Sequence, residues 1–122
     1  MTASSELPRP RQGEIWLTAF GAARIGEPGK TRPALIVSAN GLIGGSVFDL
    51  VIVVPVSASL SPTPSRLAIS ATPDTGLTAD SVVVVRAVRS LSRARLLRRL
   101  GMADAPTMAS VQEILVALLG LP

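Results

Sequence analysis

The chain has 122 residues and a formal net charge of +4, with 48% hydrophobic and 16% charged residues. This composition is typical of a single folded domain and excludes a disordered chain. Because the sequence contains neither cysteine nor histidine, disulfides, thiolate catalysis, zinc-finger sites and histidine general bases are excluded as well.

The charged residues favour an anionic partner. Arginine supplies 11 of the 12 basic side chains, and its planar guanidinium suits phosphate, although genome composition can also produce such a preference. The carboxylates show no ligand-like spacing, so we expect no metal and no other cofactor. The N-terminal residues contain no apolar h-region of the kind a signal peptide has, and the longest apolar run is far short of the roughly 20 residues of a membrane span. We therefore expect a cytoplasmic protein without membrane contact.

The first third of the chain predicts a tail and two strands. Residues 1–12 are polar and carry prolines, so we expect a flexible N-terminal tail, followed by a single domain over 13–122. Alternating side chains predict a first strand over 14–20, and the glycine-rich segment 21–31 predicts a loop. The stretch PALIVSA, residues 33–39, predicts a second strand, with its proline at the strand start.

The middle of the chain predicts further strands. A turn is expected at 40–46, and the very apolar VFDLVIVVPV, residues 47–56, predicts a central buried strand. A loop rich in serine and proline follows at 57–65, and then a short strand near 66–70. The run SVVVVRAVRSLS, residues 81–92, is compatible with two strands or with one long bent strand.

Two helices are predicted near the C-terminus. The segment RARLLRRL, residues 93–100, predicts a short basic helix. Asp104 is a suitable cap for a terminal amphipathic helix, with Pro106 in its first turn and Gly120 at its end. Its apolar face is expected to consist of Met108, Val111, Leu115 and Leu118.

Short strands separated by turns and followed by a terminal helix predict a mainly β (α+β) fold. We expect a small SH3-like β-barrel with short helices and a C-terminal amphipathic helix. In such a fold Trp16, the sole tryptophan, is expected to belong to the core and not to stack on a base.

Five stretches occur in the order and spacing of a known family. They are RQGEIWL, GEPGKTRPALIVS, VVPVSAS, GLTADSVVVVRAVRSLSRARLLRRLG and MASVQEILVALLGL. Together they resemble the MazF/PemK toxins of bacterial toxin–antitoxin systems over roughly residues 11–121. The resemblance implies a homodimeric, metal-independent endoribonuclease that cuts single-stranded RNA within a short sequence. It also implies a cognate antitoxin whose acidic, flexible C-terminal segment lies over the active groove.

The resemblance also implies catalytic residues. In the family, catalysis rests on the arginine of the R-P dipeptide, here Arg32, and on a hydroxyl residue that ends the following strand, here Ser57. The family usually has threonine at the second position, and Ser59 and Ser61 are neighbouring hydroxyls. The glutamate of the glycine-rich loop corresponds to Glu27, a candidate for accepting the 2′-OH proton or for orienting the arginine.

Further residues are expected to contact RNA. The loops 21–31 and 57–65 are expected to form the recognition surface, which includes Lys30, Thr31 and Ser59. Arg66 and Arg86 are expected to contact phosphates, whereas the arginines at 93–99 are expected to lie on a solvated face or to bind the antitoxin. Ala87 occupies a position where the family often has glutamine, so one base contact is not carried over.

The sequence is also compatible with a different class of function. The same fold also carries toxins that poison DNA gyrase by binding, so a non-catalytic SH3-like barrel that binds nucleic acid or protein is the alternative. The cleaved sequence, the class of RNA target and the general base are not indicated by the sequence.

Overall fold

A computed structural model of the chain describes residues 9–21, 30–46, 48–59 and 63–122. Its regular elements are β1 (Glu14–Ala19), β2 (Thr31–Ile36), β3 (Leu50–Ser57), β4 (Arg66–Ile69), β5 (Ser81–Val84), β6 (Arg89–Ser92), β7 (Leu96–Met102) and α1 (Ala105–Leu119). Short 3-10 turns occur at Asn40–Leu42, Val85–Ala87 and Arg93–Arg95. Within these described ranges, no helix is long and apolar enough to cross a membrane.

All strand pairs are antiparallel, and the strands follow the order β4-β5-β3-β2-β1-β7. Strand β6 pairs with the first half of β3, while β5 pairs with its last two residues, Val56 and Ser57. Because β3 changes partners along its length, the sheet curls into a barrel-like shape. The expectation of a mainly β barrel with a C-terminal helix is confirmed.

Two hydrophobic cores lie on opposite faces of the central strands. The alternation along β1 sends Ile15 into the first core and Trp16 into the second. The first core includes Val111 of α1, so the helix closes that side of the sheet. Trp16 is only 6% exposed, which confirms its interpretation as a core residue.

The terminal helix follows its sequence signals. The Asp104 carboxylate accepts a hydrogen bond from the Thr107 N–H at 2.8 Å, and Gly120 ends the helix with a left-handed φ of 66°. The hydrogen bond from Thr107 lowers the pKa of Asp104 below its usual value. Val111 is fully buried, and the other members of the predicted face, Met108, Leu115 and Leu118, pack against the same core.

Two local predictions were wrong. The segment 93–100 is not a basic helix: a 3-10 turn leads into β7, which pairs with β1. Leucine and arginine favour helices locally, but pairing with β1 overrides that preference.

The strand predicted over 47–56 begins only at Leu50. Leu50 and Ile52 are 62% and 45% exposed, so the first half of this strand has only one buried face. The run 81–92 forms two strands joined by a 3-10 turn.

Hydrogen bonds connect the described segment just before β1 to the barrel. The Gln12 backbone N–H donates to Asn40 Oδ1 at 2.7 Å, and its side-chain amide donates to the Val37 carbonyl at 3.1 Å. The Arg11 N–H donates to Glu14 Oε1 at 2.7 Å. Of the expected N-terminal tail, residues 1–8 lie outside the described residues, so the tail and the domain boundary at residue 13 stay predictions.

Candidate active site

Arg32 is held by the hairpin of β1 and β2. Its backbone pairs with Thr18, which is fully buried and whose hydroxyl donates to the Trp16 carbonyl at 2.9 Å. The Arg32 side chain is exposed. A rigid strand therefore holds an arginine at the surface of the barrel, and a guanidinium group is well suited to binding anions.

Lys30 lies at the entrance to β2 in an uncommon conformation. Its φ is 62°, the left-handed region that non-glycine residues rarely occupy. The conformation is fixed because the Phe20 N–H donates to the Lys30 carbonyl at 2.8 Å and the Lys30 N–H donates to the Gly21 carbonyl. Lys30, Thr31 and Arg32 are all exposed, so the structure places these three predicted residues side by side. Glu27 lies outside the described residues.

Ser57 ends β3, as the sequence predicted for the hydroxyl partner. It pairs with Val82 of β5, and its Oγ accepts the Ser59 backbone N–H at 3.2 Å. Since this contact uses a lone pair, the Ser57 hydroxyl hydrogen can be donated to a ligand. Ser59 is exposed, and Ser61 lies outside the described residues.

Arg32 and Ser57 lie at the same end of adjacent strands. Strands β2 and β3 pair through Ala34↔Pro55, Leu35↔Val54 and Ile36↔Val53. Continuing this register by two residues places Arg32 opposite Ser57, although β3 is by then paired with β5. The register of β2 and β3 thus directs two residues that are 25 positions apart in the sequence to the same end of the sheet.

Arg66 lies on the same outward face as Ser57. Ala68 and Ser57 both pair with Val82, and Arg66 shares the face of Ala68 because it is two residues away on β4. Arg86 is exposed in the turn before β6, and its Nε donates a long hydrogen bond of 3.4 Å to the Ser65 hydroxyl. Arg66 therefore lies on the β4–β5 face beside Ser57, whereas Arg86 lies on the side of α1, where it lines a cavity with Ile114 and Leu118.

Sequence reasoning missed Arg89 as a site residue. Its guanidinium carbon lies 5.7 Å from the centroid of the Phe20 ring, a cation–π contact. Phe20 is also the residue whose N–H binds the Lys30 carbonyl. The pairing Val53↔Arg89 produces this proximity, and no signal in the sequence separates Arg89 from the other arginines of its cluster.

The site is electropositive. The described strand ends and turns of this face, within residues 30–33, 57–59, 63–66 and 87–89, carry four cations and no carboxylate. The cations are Lys30, Arg32, Arg66 and Arg89. Such a surface attracts a polyanion and loses affinity as salt screens the charges.

A family model and a known relative both place the sequence among the same toxins. A family model described as the PemK-like, MazF-like toxin of type II toxin–antitoxin systems matches residues 11–119. The endoribonuclease MazF9 of Mycobacterium tuberculosis is 35% identical over 109 residues, which cover 86% of this chain and 92% of that protein.

Solved structures share the fold over nearly the whole chain. The crystal structure of MazF (Form-I) from Deinococcus radiodurans superposes with a TM-score of 0.80 at 28% identity, covering 94% of this chain and all of that one. In the MazE–MazF complex (Form-II) from the same organism, the matching chain has a TM-score of 0.74 at 28% identity and covers 95% of this chain.

Proposed function

Because the chain belongs to the family of PemK-like, MazF-like toxins of type II toxin–antitoxin systems, we propose that it is an endoribonuclease that cuts single-stranded RNA within a short sequence. Cleavage inhibits translation and growth. The protein acts in the cytoplasm as a homodimer, and a cognate antitoxin with an acidic, flexible C-terminal segment inhibits it. The similarity to the endoribonuclease MazF9 supports the activity, and the similarity to the MazF chain of a MazE–MazF complex supports the antitoxin partner.

The observation that carries the proposal is the position of Arg32 and Ser57. Both lie at the same end of adjacent strands, with an exposed arginine on one and a hydroxyl residue on the other. A phosphate between them can receive hydrogen bonds from both. A barrel that only bound its target, such as a gyrase-poisoning toxin, would not require this pair.

The reaction needs little covalent chemistry from the protein. A ribose 2′-OH attacks the adjacent phosphate, the bond to the 5′ oxygen of the next nucleotide breaks, and the products are a 2′,3′-cyclic phosphate and a 5′-OH end. RNA supplies the nucleophile, so the protein has to position the phosphate and stabilise its growing negative charge. Arg32 holds the nonbridging oxygens, and Ser57 donates a further hydrogen bond to them.

The remaining cations position the strand. Lys30, Arg66 and Arg86 contact flanking phosphates, and Arg89 adds a charge beside Phe20. Thr31 and Ser59 are exposed next to the two central residues and supply polar contacts to the RNA. None of these contacts requires a metal ion.

The attacking 2′-OH must also lose its proton, and this step needs an acceptor. Arginine has too high a pKa to act as a general base, so Glu27 is the candidate that accepts the 2′-OH proton or orients Arg32. If Glu27→Gln cleaves RNA at the wild-type rate at every pH, Glu27 has no part in proton transfer.

Cleavage in the presence of EDTA tests the proposal. Purified protein, refolded from denaturant to remove any antitoxin, is incubated with a long single-stranded RNA. We expect discrete fragments from the wild type, a rate about 10²- to 10³-fold lower for Arg32→Ala, and unchanged cleavage for Arg11→Ala, an exposed arginine before β1. Intact RNA over many sequences with folded wild-type protein would refute the proposal.

A further inference from the structure

The end of β2 that carries Arg32 has a paired neighbour on one side only. Within the described residues, β2 pairs with β3 through Ala34–Ile36, whereas Thr31–Pro33 pair with β1 alone. A strand end that lacks one neighbour frays more readily than the middle of a sheet. The contacts between β1 and the first residues of β2 are therefore important for the position of the Arg32 backbone.

A β-bulge closes this end of the ladder. The Phe20 N–H donates to the Lys30 carbonyl at 2.8 Å, whereas the Lys30 N–H donates to the carbonyl of the following residue, Gly21. Two residues of one segment thus oppose a single residue of the other, an arrangement that occurs next to active sites and redirects side chains there. Because hydrogen-bonded pairs alternate along an antiparallel ladder, this contact is the next rung after the pair of Thr18 with Arg32.

The bulge contains two left-handed residues. Gly21 has a φ of 88° and Lys30 has a φ of 62°, and Lys30 is the only non-glycine residue with a positive φ among those that the structure describes. A side chain destabilises this conformation, because its Cβ approaches a carbonyl oxygen. Such residues persist only where surrounding contacts hold them, and they are concentrated at functional sites.

The end of β1 supplies these surrounding contacts. The Phe20 side chain is 4% exposed in the second core, and the Arg89 guanidinium carbon lies 5.7 Å from the centroid of its ring. The Ala19 carbonyl accepts a hydrogen bond from Arg95 Nη1 at 3.2 Å. Core packing and this hydrogen bond thus fix the end of β1, which in turn holds Lys30 in its left-handed conformation.

We propose that Lys30 is a positioning residue for RNA cleavage. Its left-handed backbone closes the bulge and thereby sets the position of Arg32, while its charge contributes separately to RNA affinity. The inference rests on the proposed function for the reaction and on the bulge for the positioning. Its expected effect is large, since a displacement of about 1 Å in a group that contacts the reacting atoms can lower a rate about 10²-fold.

Two substitutions at Lys30 separate the backbone conformation from the charge. Lys30→Asn and Lys30→Val both remove the ammonium group, but asparagine adopts the left-handed conformation readily and β-branched valine does not. For a noncleavable 2′-O-methyl RNA, the slope of log affinity against log salt should therefore decrease by about 0.7 in both variants. The single-turnover cleavage rate at saturating RNA should be at least about tenfold lower for Lys30→Val than for Lys30→Asn.

Two left-handed glycines provide a matched control. A Cβ added at Gly21 would meet only Arg95 Nη1, at 3.6 Å, and a Cβ added at Gly120 would meet nothing within 4 Å. Gly21→Val and Gly120→Val therefore introduce the same kind of backbone strain at different places. We expect Gly21→Val to lower the cleavage rate at saturating RNA and Gly120→Val to retain the wild-type rate. Circular dichroism verifies folding, and Gly21→Val decides the question if Lys30→Val does not fold.

Two results would overturn the inference. Equal saturated rates for Lys30→Asn and Lys30→Val would leave Lys30 with its charge alone, and equal losses in Gly21→Val and Gly120→Val would assign the effect to lost stability. Cleavage by the wild type in EDTA is measured on the same RNA. Wild-type cleavage with equal rates for the two Lys30 variants removes only this inference, whereas intact RNA with the wild type refutes the proposed function and the inference with it.

Discussion

The Ser59 backbone N–H donates to the Ser57 side-chain oxygen at 3.2 Å, directly after β3 ends. This contact orients the hydroxyl and leaves its hydrogen free to be donated. The donor is a backbone group, so the geometry depends on the turn at 57–59 and not on the side chain of Ser59. We therefore propose Ser57, and not Ser59, as the hydroxyl partner of Arg32.

The first prediction follows from that contact. Ser57→Ala should lower the cleavage rate about 10²-fold, because one preorganised donor to the phosphate is lost. Ser57→Thr should retain most of the rate, since it keeps the hydroxyl. Ser59→Ala is the comparison variant: it removes a polar contact to the RNA but no donor to the scissile phosphate, so its rate should fall less than that of Ser57→Ala. Single-turnover rates on one oligonucleotide measure all three, and a larger loss in Ser59→Ala than in Ser57→Ala would reverse the assignment.

The second prediction concerns salt. The affinity of the wild type for a noncleavable 2′-O-methyl RNA should fall steeply with added salt, because counterions are released from each phosphate that the protein neutralises. Arg66→Ala and Arg86→Ala should each reduce the slope of log affinity against log salt by about 0.7. Arg11→Ala should leave the slope unchanged. A flat response of the wild type would contradict an electropositive RNA site.

The third prediction concerns the ion pair of Glu14 with Arg99, the sole salt bridge within the described residues. The Glu14 side chain is 10% exposed and that of Arg99 is 48% exposed. Arg99→Met removes one partner and leaves a largely buried carboxylate, which should lower the free energy of unfolding by about 1–2 kcal/mol. Arg98→Met is the neighbouring control without such a pair. Urea unfolding measures the free energy of unfolding of both variants. Equal values for the wild type and Arg99→Met would show that the ion pair does not stabilise the fold.

The fourth prediction concerns pH and the helix cap. The pKa of Asp104 is lowered by its hydrogen bond from Thr107, so the folded chain binds this proton less readily than the unfolded chain does. The cap therefore stabilises the fold above the unfolded-state pKa of about 3.9, and the stabilisation is lost as pH falls through the folded pKa. Asp104→Asn keeps a capping oxygen without the charge.

The measurement is the difference in unfolding midpoint between wild type and Asp104→Asn at several pH values. We expect the wild type to be more stable at neutral pH and the difference to vanish in acid. A difference that does not change with pH would show that the charge has no part in the cap.

The sequence predicted those features whose causes are local. The terminal helix follows from a cap at Asp104 and a left-handed glycine at Gly120, and both act within one turn of the chain. Arg32 and Ser57 were identified by resemblance to a family, and the register of β2 and β3 gives the physical reason for their proximity.

The features that were predicted wrongly or missed depend on residues that are distant in the sequence. Residues 93–100 have high helix propensity, yet β7 forms because β1 offers an edge and because Gly101 lets the loop at 74–76 pack against the strand backbone. The contact of Arg89 with Phe20 depends on two separate strand pairings. No local pattern encodes either arrangement.

The chemistry of the cleaved ends tests the central claim most directly. The wild type is incubated in EDTA with a single-stranded RNA, and the product ends are identified by mass spectrometry. Attack by the ribose 2′-OH predicts a 2′,3′-cyclic phosphate, a 5′-OH end and no cleavage where the scissile nucleotide is 2′-deoxy. Products with a 3′-OH and a 5′-phosphate, or cleavage of the 2′-deoxy substrate, would contradict the account.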